Sequence, residues 1–108
     1  MPALREYLDT EGRSPFGKWF EGLNAEAAAK VAVSLIRLEQ GNLAGVKSVG
    51  TGVLECRVQF GPGYRVYLGR DGEALIILLG GGSKKRQDRD IKLAQARWRD
   101  YRKRKREA

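Results

Sequence analysis

Hydrophobic positions along the chain recur at two spacings, and the switches between them divide it into elements. Leu4 to Leu8 reads as a short strand. Ser14 followed by Pro15 then has the form of a helix N-cap with proline at the first helical position. Phe16, Trp19, Phe20 and Leu23 repeat at i, i+3, i+4 and i+7, which gives a short helix one strongly aromatic, buried face. Asn24 can cap a second helix running to about Gln40, with Ala28, Val31, Ala32, Leu35 and Leu38 on one face and Gly41 ending it. Gly41 to Gly52 contains four glycines and alternates poorly, so an exposed loop carrying Lys47 is expected there.

Beyond Gly52 the period changes to two. Leu54, Cys56, Val58 and Phe60 project to one face, and Val53, Glu55, Arg57 and Gln59 to the other, predicting a half-buried strand over Val53 to Phe60. Gly61-Pro62-Gly63 supplies a turn. Tyr64, Val66 and Leu68 then alternate with Arg65 and Tyr67, completing a hairpin on whose polar face Arg57, Arg65 and Tyr67 would lie together. After a second turn at Asp71-Gly72, Glu73 to Leu79 is apolar on both faces, as in a central strand, and Gly80 to Gly82 is expected to end it. A last helix follows from about Arg86, with Ile91, Ala94, Trp98 and Tyr101 as its buried stripe. The expected fold is α+β in the order βααβββα, a largely antiparallel meander packed by helices. It is expected to form one domain over residues 1–108, with a basic end from about residue 97 that is part helix and part tail.

Composition adds the charge. Twenty-one Lys and Arg against thirteen Asp and Glu leave a net +8 over 108 residues, which favours a polyanionic partner. Seven of those cations fall between Arg97 and Arg106 with one acid among them. Such a run serves as a solvated, solubilising end or as a contact for RNA or an acidic protein. Cys56 is the single cysteine, so no internal disulfide forms and a cytoplasmic location is expected. The N-terminus carries acidic residues where a signal peptide would be apolar, and the longest apolar run, Ala74 to Leu79, is far too short to span a bilayer. No membrane contact is therefore expected.

The chain contains no histidine, which excludes Ser-His-Asp, Cys-His and paired-histidine mechanisms, and with one cysteine it cannot assemble a zinc site of the usual kind. Neither a metal nor a cofactor is called for. Glycines before Lys84 could aim N–H groups at an anion, but the phosphate-loop spacing is missing. Ser83 has no nucleophile-elbow context and reads as a helix cap, and Cys56 lies on the apolar face of its strand as a small hydrophobe. Any catalysis must run on Lys, Arg, Tyr or carboxylates. Arg57, Arg65 and Tyr67 are the candidates: fixed cations on a sheet can stabilise a phosphoryl transition state, and an aromatic beside them can stack a base. The plain alternative is an ordinary exposed sheet surface, with Glu55 and Arg57 pairing across it.

The segments Gly52-Val-Leu-Glu-Cys-Arg57, Phe60-Gly-Pro-Gly-Tyr-Arg-Val-Tyr67, Leu78-Leu-Gly-Gly-Gly-Ser-Lys84 and Gln87-Asp-Arg-Asp-Ile91 resemble the RelE/HigB-like toxins of bacterial toxin-antitoxin pairs, as do Gly12 to Phe16 and Trp19. The resemblance implies the compact RelE/ParE fold and a toxin that arrests growth until a cognate antitoxin, often a helix-turn-helix protein, covers its active face. RelE-like members cut mRNA in translating ribosomes: the ribose 2′-OH attacks the adjacent phosphate, and the enzyme supplies positioning and charge without a metal. Carried over, Arg57 and Arg65 would stabilise the phosphate, Tyr67 would pack on or orient a nucleotide, and Lys84 would bind phosphate or assist proton transfer. Lys47, Lys85, Arg86 and Arg89 would add RNA contacts. The base would be Lys84, Glu55 or a group on the RNA. The family usually carries an acid just before the lysine matching Lys84, where this chain has Ser83. Two other functions share this fold and charge: a ParE-like inhibitor of DNA gyrase, and a noncatalytic regulator that only binds nucleic acid.

Overall fold

The computed structural model describes all 108 residues. Ser14 caps α1 (Pro15–Glu21), its hydroxyl accepting from the Gly17 N–H at 2.9 Å, and Asn24 caps α2 (Ala25–Glu39) through the Ala27 N–H at 2.8 Å. Both starts are where the Ser-Pro pair and Asn24 predict them. Gly41 closes α2 in the left-handed conformation (φ 79°), and the Asn42 N–H turns back to the Arg37 carbonyl.

Five strands form one sheet in the order β1-β5-β4-β3-β2. They are β1 (Ala3–Glu6), β2 (Val46–Ser48), β3 (Val53–Val58), β4 (Tyr64–Asp71) and β5 (Leu75–Gly82). β1 lies parallel to β5, and every other pair is antiparallel. The mixed α/β, mostly antiparallel architecture is the one expected from the sequence, with one addition. The glycine-rich stretch expected to be a loop contains β2, whose Val46, Lys47 and Ser48 pair with Cys56, Glu55 and Leu54. Three residues are too few to display a period, and β3 supplies the template.

Helices cover both faces of the sheet. On one side α1 and α2 bring Phe16, Val31 and Leu38 against Cys56, Val58, Val66, Leu68, Ile76 and Leu78. On the other, α3 (Gln87–Glu107) sets Ala94 and Trp98 against Tyr7, Val53, Tyr67, Ile77 and Leu79. Full burial of a side chain such as Val31 or Leu38 contributes about 1.5–3 kcal/mol. The expectation of a half-buried β3 is thus corrected: Val53 and Glu55 on its second face are fully covered, and Arg57 alone of the three stays exposed.

Each face seats a tryptophan on a glycine of the sheet. A Cβ at Gly81 would overlap the Trp19 ring, and one at Gly69 the Trp98 ring. The Gly80 to Gly82 run therefore belongs to β5 rather than ending it, because only a bare backbone lets the covering side chains descend this far.

A 3₁₀ turn (Lys84–Arg86) leads into α3, and the Ser83 hydroxyl makes no capping bond, contrary to its reading as a cap. α3 continues through the basic run to Glu107 instead of fraying into a tail. Its far half is tied down at several points. Tyr7 donates to Asp100 at 2.6 Å, Tyr101 donates to Asp71 at 2.7 Å, and Arg104 donates to the Leu8 carbonyl. No helix is long and apolar enough to cross a membrane.

Candidate functional site

Strand register brings the predicted residues together. Lys47, Glu55, Tyr67 and Gly80 stand opposite one another across β2, β3, β4 and β5, and Arg57, Arg65 and Gly82 form the next row on the same face. This is the α3 face. Because α3 lies over β4 and β5 while β2 is at the sheet's edge, one row runs from fully buried to open within four strands.

The buried part is polar. Glu55 has no exposed surface, and its Oε2 accepts from Gln87 Nε2 at 2.8 Å. Its Oε1 lies 3.7 Å from Arg65 Nε and 3.8 Å from Lys47 Nζ. Arg65, 4% exposed, also donates from Nη1 to the carbonyl of Gly63 in the β3–β4 turn. Glu55 Oε1, Arg65 Nε and the Tyr67 hydroxyl nevertheless lack a hydrogen-bond partner. A buried ion pair with unfilled donors and acceptors contributes little net stability, so its value lies in fixing where the guanidinium sits.

Two glycines admit polar groups from α3. A Cβ at Gly82 would collide with the Asp90 carboxylate, and one at Gly80 would stand 2.7 Å from Arg97 Nη1. Arg97 donates to the Leu79 carbonyl at 3.0 Å. Burial raises the Asp90 carboxyl above its ordinary range against the pull of Arg89, Arg86 and Arg97, and burial likewise lowers Arg97.

Tyr67 departs from its predicted role. It has no exposed surface and packs among Val53, Leu79, Ala94 and Trp98, so it offers no face for a base to stack on. Burial, then the negative charges of Glu55 and Asp90, pushes its hydroxyl well above the usual tyrosine range. Glu55, weighed as a general base, is sealed from any substrate in the same way. α3 covers the face that strand alternation alone assigned to solvent.

The exposed part is cationic. Arg57, Lys84, Lys85, Arg86 and Arg89 are exposed, as is Lys47, which stands on β2 rather than in a loop. Lys84 begins beside the β3–β4 turn, its Cβ 3.8 Å from where a side chain at Gly63 would start. Lys84 to Arg89 line a cleft of about 440 Å³. Open cations of β2, β3 and the β5–α3 junction thus surround the buried Arg65. Gln87, Asp90 and Arg97, half-buried on α3, complete the network without having been singled out from sequence. Their signal is spacing: they fall at i, i+3 and i+10, on or next to the apolar stripe of Ile91, Ala94 and Trp98.

Residues 18–99, from α1 to well into α3, match the family described as "Phage derived protein Gp49-like (DUF891)". The chain belongs to the Gp49-like family. This is a phage-derived family of toxin type, associated with the toxins of toxin-antitoxin pairs. An uncharacterized protein of Haemophilus influenzae is 46% identical to the chain over 81 residues, covering 74% of this chain and 82% of the relative. The toxin type that the sequence resemblance implies agrees with membership of the Gp49-like family.

Proposed function

We propose that this Gp49-like chain is the toxin of a toxin-antitoxin pair, of the RelE/HigB kind, and that it cuts mRNA in translating ribosomes. The observation that supports this reading most is the placement of Arg57 and Lys84, exposed on either side of a buried, carboxylate-anchored Arg65. Attack of a ribose 2′-OH on the neighbouring phosphorus forms the O2′–P bond, breaks the P–O5′ bond and leaves a 2′,3′-cyclic phosphate and a 5′-hydroxyl. The charge that gathers on the phosphate oxygens is what preorganised cations stabilise. In this reading Arg57 and Lys84 contact the phosphate, Arg65 holds the local field from behind, and Lys47, Lys85, Arg86 and Arg89 grip the flanking strand. The attacking hydroxyl loses its proton to a group on the RNA, and the Lys84 ammonium gives a proton to the departing 5′-oxygen. The cognate antitoxin, a helix-turn-helix protein in this reading, covers the same cationic face in the cytoplasm.

Induced expression tests the reading. The unaltered chain should arrest growth and leave translated messages with new 5′-hydroxyl ends. Arg57→Ala and Lys84→Ala should each lower cleavage by about 100-fold, the size of effect expected for one transition-state donor, with the folded spectrum unchanged. Intact messages with accumulating broken DNA would assign the toxin to DNA gyrase instead, and undisturbed growth would leave a noncatalytic binder.

A further inference from the structure

The cations in the far half of α3 fall into two groups. Arg104 and Lys105 are neutralised, Arg104 by Asp100 at 2.6 Å and Lys105 by Asp71 at 2.5 Å. Arg99, Arg102, Lys103 and Arg106 are all exposed and none makes an ion pair. Their i, i+3, i+4, i+7 spacing places them on one stripe of the helix, about 10 Å long at the helical rise of 1.5 Å per residue. Arg99 and Lys103, and Arg102 and Arg106, are like charges one turn apart, an arrangement that weakens a helix. Cations near the C-terminus of α3 complement its dipole, which offsets part of this repulsion along the stripe.

Its surroundings are built to match. Two adjoining clefts of about 430 and 370 Å³ share Trp98, Arg102 and Arg106. Arg70 of β4 enters one of them and makes no ion pair, and Thr51 of the β2–β3 turn enters the other. Thr51 is the single non-glycine residue with positive φ, at 61°. A β-branched side chain is an outlier in that conformation, and strain of this kind gathers where a side chain is held for use.

We propose that this stripe, with Arg70 and Thr51, is a docking site for the phosphate backbone of duplex RNA, separate from the cleft beside Lys84. The backbone fits better than an acidic protein surface. A protein interface needs an apolar centre depleted of charge, whereas Trp98 is only 5% exposed and supplies no anchor here. Three of the four stripe cations are arginines, whose forked guanidinium matches phosphate oxygens, and about 10 Å reaches two or three phosphates of one strand. The stripe starts ten residues past Arg89, about 15 Å along the axis, so both sites can be filled at once. The choice of RNA rests on the proposed function; the recognition of backbone does not.

The test uses the full chain with a blunt RNA duplex, a DNA duplex of the same sequence and poly-glutamate. R99Q/R102Q/K103Q/R106Q should weaken RNA duplex binding on the order of 100-fold at near-physiological salt and flatten the slope of log K against log salt by roughly 3. Its thermal midpoint should stay within about 4 °C of the unaltered chain, since the relieved repulsion and the lost dipole complement are of similar size. K84Q/K85Q/R86Q/R89Q should keep most of the duplex binding, and RNA should bind at least as tightly as DNA. Unchanged affinity and slope in the stripe variant would overturn the proposal. So would poly-glutamate binding as tightly as the duplex, or a clear preference for DNA. Because the duplex offers no translated message, binding is read whether or not the chain cleaves RNA.

Discussion

Arg65 and Tyr67 lie two residues apart on β4 and face the same way, yet burial gives them different work. Arg65 has the Glu55 carboxylate beside it under α3, and Tyr67 sits in the same layer with a hydroxyl that has no hydrogen-bond partner. Removing an unpartnered buried hydroxyl is close to neutral, whereas removing one member of a buried ion pair strands the other. Tyr67→Phe should therefore unfold within about 1 kcal/mol of the unaltered chain and keep its RNA activity. Glu55→Gln should lose about 3 kcal/mol. Denaturant unfolding of the two variants checks both expectations; equal stabilities would mean that the pair does not hold Arg65. The sequence placed both residues on the correct face but left that face in solvent, since strand alternation reports which side a residue takes and not what lies over it.

At the scale of elements, α3 does two jobs through its two ends, and the far end is held by carboxylates. Hydrogen bonds from Lys105 and Tyr101 keep the Asp71 carboxyl below its ordinary 3.8, and those from Tyr7 and Arg104 do the same for Asp100. A depressed folded value means that the stabilisation is complete above 3.8 and is lost as pH falls through the lower folded values. The Tyr101 hydroxyl is pushed up to about 12, by burial first and by Asp71 next. Its contribution is complete below pH 10 and fades as pH rises toward about 12. Thermal unfolding against pH should be flat through neutrality and fall off at both ends, and D71N/D100N should make the acid limb shallower, leaving the part due to Asp9, which the backbone N–H groups of Arg13 and Glu11 also hold low. An acid limb of undiminished steepness in that variant would place the sensitive groups elsewhere. The periodicity of Ile91, Ala94, Trp98 and Tyr101 identified this helix, and the caps Ser14 and Asn24 located the other two. The end of α3 was not legible, because its anchors, Tyr7, Asp71 and Leu8, come from distant parts of the chain. β2 and the glycines of β5 were missed for a related reason: a three-residue strand exists through its partner, and the glycines stay in the strand because Trp19, Arg97 and Asp90 rest on them.

For the whole molecule, the net charge of +8 is not spread evenly. Acids neutralise the cations that fasten α3 to the sheet and leave two cationic regions free, one around Lys84 and one along Arg99 to Arg106. A chain that neutralised its fold and exposed its surplus at two places about 15 Å apart along α3 is suited to hold a structured polyanion at one and react with a strand at the other. The most direct measurement adds the purified chain to ribosomes paused on a defined message and maps the ends produced. Cuts at the paused codon that leave a 5′-hydroxyl and a 2′,3′-cyclic phosphate, absent with Lys84→Ala, are the predicted result. A message left whole by chain that still arrests growth would contradict the account.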